Sequence, residues 1–435
     1  MPNNAPQLDQ EKFGQIVLFE DWSAQNRPFL PLCYTHAVAE LRVGALTQLE
    51  RLKLVAGNIP IILDVRESRK ELAQERSGLI VNELPEASST LFLNARAFLD
   101  AALIAEINAM TISGASGSQL VQGKTKVAAL AKNPKRLDSE WMIDFNRERF
   151  VTEFKLDNSH STDAKVFAGL WEMIHFNWTA IMHDAALLRA SLSTFASLSS
   201  SYQHVFGDPA ENVLIGENVT IAPGVVLDAS AGPIMILNGA KIMANAVIVG
   251  PAVIGENALV KIGAKIYEGT TIGPNCKVGG EVESSIMLGF SNKQHDGYLG
   301  HSYLGQWVNL GADTNTSDLK NDYSLVKLEI ESQEFATNSL FVGLLMGDHS
   351  KSAINTQFNT GTVVGVSCNV FDGGFPPKWI PNFSWGGSSG FEKYRIDKAI
   401  EVAKIVMARR NKVLSLIEEK LLRELAKNEK RTSAE

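Results

Sequence analysis

A histidine side chain titrates near neutrality and can take a proton from one group and return it to another. His295 opens a segment that surrounds such a group with hydrogen-bonding partners. The segment reads His295-Asp-Gly-Tyr-Leu-Gly-His-Ser-Tyr-Leu-Gly-Gln-Trp-Val-Asn-Leu-Gly-Ala-Asp-Thr, with Tyr298 three residues after the histidine and Asn309 fourteen after it. A lone histidine at a turn is ordinarily a surface residue, and His295 is weighed against that as a candidate general base. His301 and His349 lack such spacing and read equally as surface or subunit-interface residues. Lys261 reads equally as a solvated cation, and Asn309 also fits a turn asparagine in the left-handed conformation.

The elements that must position these groups are announced by a six-residue beat. Ile215, Ile221, Leu227, Ile236, Ile242, Ile248, Ile254, Val260, Ile266, Ile272 and Val278 fall six apart, except for an interval of nine between Leu227 and Ile236. No helix repeats its apolar face at that interval, which lies near 3.6 residues. A hexapeptide repeat predicts a parallel β-helix, one short strand per repeat and three strands per coil. Stacked coils would then share one dry core. The beat returns at Tyr298, Leu304 and Leu310, and again at Met346, Phe358, Val364 and Val370, so these are also expected to point inward.

Composition narrows the class. The chain has 435 residues, room for two or three domains. A net charge of -7 argues against nucleic acid as the main partner. Cys33, Cys276 and Cys368 lie far apart, which predicts neither a disulfide framework nor a structural zinc site. No signal peptide or membrane-spanning apolar run is evident, so the expectation is a cytoplasmic protein with no membrane partner.

Along the chain, residues 1–165 alternate strand and helix patterns, which suggests an α/β domain on a mostly parallel sheet. Ile16-Val-Leu-Phe-Glu, Ile59-Pro-Ile-Ile-Leu-Asp, Gly78-Leu-Ile-Val-Asn and Thr90-Leu-Phe-Leu-Asn read as strands. Residues 43–55, 68–76 and 98–110 read as helices. Residues 166–208 read as a helical linker, 209–390 as the β-helix domain and 391–435 as a terminal α-helix. The apolar stripe of that helix predicts packing on a neighbour or on the β-helix base. Flat β-helix faces predict side-by-side association, with a homotrimer as the expected assembly.

The His295 segment resembles the acetyltransferase half of the family of bifunctional N-acetylglucosamine-1-phosphate uridylyltransferases and glucosamine-1-phosphate acetyltransferases. His295, Tyr298 and Asn309 stand at the spacing of that family's motif, although Asp313 replaces a glycine. Met346-Gly-Asp-His-Ser-Lys-Ser-Ala-Ile-Asn-Thr resembles the coil that binds acetyl-coenzyme A. The resemblance implies a left-handed parallel β-helix, with acetyl transfer from acetyl-coenzyme A to an amino sugar and His295 as base. It implies that Tyr298 and Asn309 orient sugar and phosphate, that Lys261 holds phosphate and that Lys320 lies near a substrate-contacting loop. It places Asp318 where the family has an asparagine on the sugar amine. Ala312, His349 and Ile354 fall at coenzyme-contacting positions, and a backbone N–H of the 348–356 turn would face the developing oxyanion.

The start of the chain resembles sugar nucleotidyltransferases, through Pro31-Leu-Cys-Tyr-Thr-His-Ala-Val-Ala-Glu-Leu-Arg-Val-Gly. This implies a nucleotidyltransferase-like N-terminal domain that joins a nucleoside triphosphate to a sugar-1-phosphate with Mg²⁺. The family's glycine-rich phosphate loop is absent, because the first strand leads into Phe19-Glu-Asp-Trp-Ser-Ala-Gln-Asn-Arg. Arg27, Arg42, Asn94 and Arg96 are the candidates to bind nucleotide in its place, and Asp21 is the candidate metal ligand.

Overall fold

The computed structural model describes residues 6–21, 24–113, 117–132, 156–194 and 204–428. The chain divides into two units: Met1–Arg27, Thr35–Leu41 and Leu46–Ala168 form the first, and Pro28–Tyr34, Arg42–Ala45 and Gly169–Glu435 the second.

Strand β1 (Gln15–Phe19) is buried along its whole length, as its run of Ile16, Val17, Leu18 and Phe19 requires. A strand covered on both faces sits in the middle of a sheet. β1 pairs in parallel with β2 (Ile61–Asp64) on one side and with β4 (Ser89–Asn94) on the other. The sheet has seven strands in the order β3-β2-β1-β4-β6-β5-β7, where β3 is Ile80–Val81, β5 Gly117–Gln122, β6 Thr125–Lys132 and β7 Leu156–Ser161. The expected parallel character holds from β3 to β4. Beyond it, β6 runs antiparallel to β4 and to β5, because Gly123 (φ +59°) lets the chain double back at once.

α1 (Gln48–Ala56) starts five residues later than expected, because Arg42–Val43 and Leu46–Thr47 pair as short strands, whereas α2 (Lys70–Ser77) and α3 (Ala101–Ala109) fall close to their predicted places. Thr47 and Glu50 cap α1 reciprocally. The threonine oxygen accepts the Glu50 N–H at 3.1 Å, and the glutamate accepts the Thr47 N–H at 2.7 Å. From β1 the chain winds to β2 and β3, then returns to β4 on the opposite side. The carboxyl ends of β1 and β4 therefore flank the point where strand order reverses, the usual place for a ligand in such a sheet.

The second unit begins with α4 (Leu170–Leu188), the helix expected as a linker. It is fastened to the β-helix by Asn177, which is fully buried. The Asn177 amide donates to the Gly269 carbonyl at 2.7 Å and to Thr271 Oγ1 at 3.0 Å, and its oxygen accepts the Gly44 N–H at 2.7 Å. The coils that follow build three walls, with ladders of ten, six and five strands, and the five-strand wall resumes further on in a ladder of four. Ile236, Ile254 and Ile272 stack in register at intervals of eighteen residues, three hexapeptides per coil. All eleven residues of the beat join the core, ten buried and Ile221 partly so. The interval of nine only lengthens a corner, since Ile215 still pairs with Ile236. Asn218, Asn245, Asn257 and Asn275 turn corners with φ between 55° and 59°, a region asparagine tolerates better than most residues.

The beat slips after Val278. Ile272 pairs with Met287 and Val278 with Lys293, so this coil is three residues short. As a result Leu299 points inward, and Tyr298, expected inside, faces out. Lys293 occupies a core position with only 2% exposure. Between the Leu304 and Met346 rungs an antiparallel hairpin, Lys327–Ile330 with Gln333–Ala336, is inserted.

The expected terminal helix is two helices, α5 (Ile396–Ala408) and α6 (Leu416–Asn428), with Asn411 at φ +55° between them. They lie antiparallel, joined by Arg423–Asp397 at 2.9 Å and Lys404–Glu419 at 2.7 Å. No helix among the described residues is long and apolar enough to cross a membrane.

Candidate functional site

His295 sits on the corner between the strands Asn292–Lys293 and Tyr298–Gly300, exposed to solvent. The corner is held from inside. The Lys293 ammonium donates to the carbonyls of His295 at 2.6 Å and Asp296 at 3.0 Å. Burial pulls that ammonium's pKa down to about 8 against the opposing pull of Asp296 and Asp313.

On the six-strand wall, Tyr298 points outward into a pair of carboxylates. Its hydroxyl lies 2.8 Å from Glu283 Oε2 and 3.1 Å from Asp318 Oδ2. Burial, then Asp318 and Glu283, push the phenol far above its ordinary range. Asp318 Oδ2 also lies 2.8 Å from His301 Nδ1. An Nδ1–H bound to a carboxylate fixes the tautomer and leaves Nε2 as the basic nitrogen. The His301 ring stacks on Phe341 at 5.0 Å between centroids, and its backbone adopts φ +41°. Gly300 makes this arrangement possible, since a Cβ there would collide with both Tyr298 Oη and Asp318 Oδ2. Asp318, at the position expected on a sugar amine, thus has its carboxylate engaged by Tyr298 and His301.

Asn309 belongs to the next wall. It bridges Asn292 and Lys351 in the ladder and is not in the left-handed conformation, so it is no turn asparagine. It lines a cavity of about 350 Å³ with Lys277, Lys351, Trp307, Arg409 and Arg410. Arg410 donates to the Asn275 carbonyl at 3.2 Å and to Asn292 Oδ1 at 2.8 Å, and the Asn292 amide in turn donates to Asn309 Oδ1 at 3.3 Å. The Lys351 ammonium donates to the His349 carbonyl at 2.7 Å, and burial lowers its pKa to about 8. Lys277 is lowered too, first by burial and then by Arg410, Lys261 and Arg409. Tyr298 and Asn309, expected to act together, lie on different walls with the His295 corner between them.

The coenzyme candidates are dispersed. His349, expected to contact the coenzyme, is only 3% exposed and lies 3.8 Å from Glu418 of α6. Ile354 is 69% exposed, and its neighbour Asn355 donates its N–H to the Ala312 carbonyl at 2.8 Å. Lys261 is half-buried on the wall of Lys277. Lys320 is turned onto its own loop, donating to Ser324 Oγ and the Leu325 carbonyl at 3.1 Å each.

In the first unit, three of the predicted residues meet at the reversal point. The Arg96 guanidinium grips both oxygens of buried Asp21, with Nε to Oδ1 at 2.7 Å, and Asn94 donates to Asp21 Oδ2 at 3.0 Å. Asp21 is therefore closed by its own neighbours and does not fit a resident Mg²⁺. No cluster of three metal-ligating side chains occurs among the described residues. Beside it, Asp64 is pushed well above the usual carboxylate range by burial and then by Glu20. Arg27 is half-buried in a short 3-10 helix, next to residues 22–23 of the expected phosphate-binding segment, which lie outside the described residues. Arg42 belongs to the second unit. Its N–H donates to Tyr303 Oη at 2.8 Å, and its carbonyl accepts from the same hydroxyl at 2.7 Å. Both are backbone contacts, and its guanidinium donates to the Ala45 carbonyl.

Sequence reading missed Glu283, the His301–Asp318 pair and all four cations of the cavity. Lys277 was within reach, since the residue before each inward position faces out and Val278 is inward.

Residues 16–192 match the family described as Sugar nucleotidyl transferase, and residues 251–283 match Bacterial transferase hexapeptide (six repeats). Bifunctional protein GlmU of Marinobacter nauticus is 40% identical over 106 residues, 24% of this chain and 22% of the relative. Its namesake in Methanocaldococcus jannaschii is 36% identical over 114 residues, 26% of this chain and 27% of the relative. A Bifunctional sugar-1-phosphate nucleotidylyltransferase/acetyltransferase of Sulfurisphaera tokodaii is 26% identical over 149 residues, 30% of this chain and 37% of the relative. The matched stretches thus span between 22% and 37% of these relatives. Residues 16–192 are thus similar to sugar nucleotidyl transferases, and they precede a β-helix whose residues 251–283 are similar to bacterial transferase hexapeptide repeats.

Proposed function

We propose that this chain makes a sugar nucleotide through two transfers. The β-helix unit moves acetyl from acetyl-coenzyme A to the amine of an amino-sugar phosphate. The first unit joins a nucleoside triphosphate to a sugar-1-phosphate and releases pyrophosphate. UDP-N-acetylglucosamine or a close relative is the product. The observation that carries the acetyl-transfer reading is an imidazole, His301, whose Nδ1 is held 2.8 Å from a carboxylate beside Tyr298.

In the reaction the amine nitrogen attacks the thioester carbonyl while a histidine takes its proton. The tetrahedral intermediate then expels the thiolate, which regains the proton from the imidazolium, leaving an amide and free coenzyme A. Backbone N–H groups of the 348–356 turn face the oxyanion, and Tyr298, Asn309 and Lys261 orient the sugar and its phosphate. Resemblance assigns the proton to His295, whereas the Asp318 contact favours His301. A homotrimer supplies the cleft in which the walls of Tyr298 and Asn309 face one another. Free-thiol release from acetyl-coenzyme A in the presence of glucosamine-1-phosphate tests the reading. Silence with every amino-sugar phosphate offered would defeat it.

A second reading is favoured by the closed Asp21–Arg96 pair: acetyl transfer alone, with a non-catalytic first unit. It predicts that N-acetylglucosamine-1-phosphate, UTP and Mg²⁺ give no pyrophosphate, whereas pyrophosphate release restores the bifunctional reading.

A further inference from the structure

One corner of the β-helix changes character along its length. It lies two residues before the paired positions Leu259, Lys277, Asn292, Asn309 and Lys351. Asn257 and Asn275 turn it in the earlier coils, and Phe290, Trp307 and His349 turn it in the later ones, all in the left-handed region. Asparagine tolerates that region, whereas a bulky ring there is an outlier that calls for a reason. The three rings form a column, with Phe290 stacked on Trp307 at 4.4 Å between centroids and Trp307 on His349 at 6.3 Å. The hairpin of α5 and α6 runs along it. The Lys412 ammonium lies 5.9 Å from the Phe290 ring centre, and Glu418 Oε1 lies 3.8 Å from His349 Nε2.

His349 is the unexplained member of the column. Both ring nitrogens are shut off from water, and neither has a hydrogen-bond partner. A neutral imidazole so placed leaves one donor and one acceptor bare, and the 3.8 Å approach to Glu418 is too long for a hydrogen bond. An imidazolium in the same place faces a carboxylate on a residue that is itself only 7% exposed, and opposite charges attract strongly where water is excluded.

We propose that His349 and Glu418 are a proton-operated clasp between the β-helix and the C-terminal hairpin. Uptake of a proton by the ring draws Nε2–H onto the Glu418 carboxylate and fastens the hairpin to the corner. Loss of that proton leaves a bare imidazole beside a buried carboxylate and loosens the hairpin. The fastening is therefore present at low pH and lost as pH rises through the range in which histidines titrate. On the ring's own turn, Asp348 Oδ1 accepts the Gln306 N–H at 2.8 Å, and the Lys351 ammonium is held on the His349 carbonyl, so both engage backbone groups. Trp307 on the preceding rung is uncharged, and Lys412 sits two rings away. The hairpin carries Arg409 and Arg410, so the clasp sets how closely the Asn309 cavity is walled on that side. It does not depend on acetyl transfer.

The test is hydrogen exchange of the full chain, read by mass spectrometry at about pH 6 and about pH 8 and corrected for the intrinsic exchange rate at each. Expected is several-fold greater protection of α5 and α6 at the lower pH, with the core strands around Ile254 and Ile272 unchanged. Glu418→Gln keeps the shape and removes the charge, and His349→Gln removes the titrating ring, so in both variants the difference between the two pH values should vanish. Variants that lower protection equally at both pH values and keep the difference would show a packing role alone. That outcome, or equal protection at both pH values in the unaltered chain, overturns the proposal. Circular dichroism checks folding at each pH, and if one variant fails to fold the other decides.

Discussion

On the six-strand wall of the β-helix, Glu283, Asp318, Tyr298 and His301 share hydrogen bonds in an acidic patch. Around one corner, Lys277, Lys351, Arg409 and Arg410 face a cavity without a carboxylate in its lining. Both walls hang on the same stacked aliphatic core. The inward residue of each repeat keeps the coil closed, while the outward residue beside it is free to vary, so neighbouring walls acquire opposite chemistry without disturbing the fold. One wall is suited to moving protons and the other to holding negative charge. His295 stands at the boundary.

The comparison is broken most severely at the imidazoles. Replacing the true base by alanine should cut acetyl transfer by roughly 10²–10⁴-fold, while phosphate binding stays as it was. His295→Ala and His301→Ala, compared by thiol release, identify which histidine it is, and two fully active variants would strip the first wall of its role. Next comes Gly300→Ala. The added methyl must part Tyr298 from Asp318, so kcat and kcat/KM should fall together with no change on the cationic wall. Equal activity would mean that the hydrogen-bonded patch is ornamental to catalysis.

A milder effect is expected from pH on the cationic wall. With the Lys351 pKa near 8, the ammonium is charged at pH 7 and largely neutral at pH 9. Affinity for the amino-sugar phosphate should therefore weaken as pH rises through that window, read by calorimetric titration at both values. Affinity that strengthens instead would contradict the sign. The smallest effect concerns Lys293. Its folded pKa is near 8, below the ordinary 10.5, so between these values the unfolded chain binds the proton and the folded chain does not. Stability should rise with pH across that interval, and Lys293→Met should flatten the rise in denaturant midpoint. A slope identical in the variant would assign it to other groups.

Much of the architecture was legible in the sequence, because the inward residues of a β-helix follow one another at a fixed count. The helix read from residue 43 starts only at Gln48, where Thr47 and Glu50 cap it. The count failed where coils change length. Three residues lost after Val278 moved Leu299 inward and Tyr298 outward, and no local pattern signals such a loss. The site was harder still. Tyr298 meets Glu283 fifteen residues back and Asp318 twenty ahead, and those offsets depend on the irregular coils. Arg409 and Arg410 join Lys277 at the point where the terminal helix ends ahead of Asn411, a break the continuous apolar stripe did not reveal. Arg42 lay in a stretch that resembles a nucleotidyltransferase, yet the tertiary clamp of Tyr303 claimed it for the other unit.

Stacks of near-identical rungs can pair one rung out of place, since an isoleucine sits as well on one isoleucine as on the next. Lys293 removes that degeneracy at its own level. At its own rung the inward ammonium meets two backbone oxygens, and a stack shifted out of frame would strand that cation in hydrocarbon. A single awkward residue thereby acts as an address label for the histidine corner above it, fixing which rung becomes the working one.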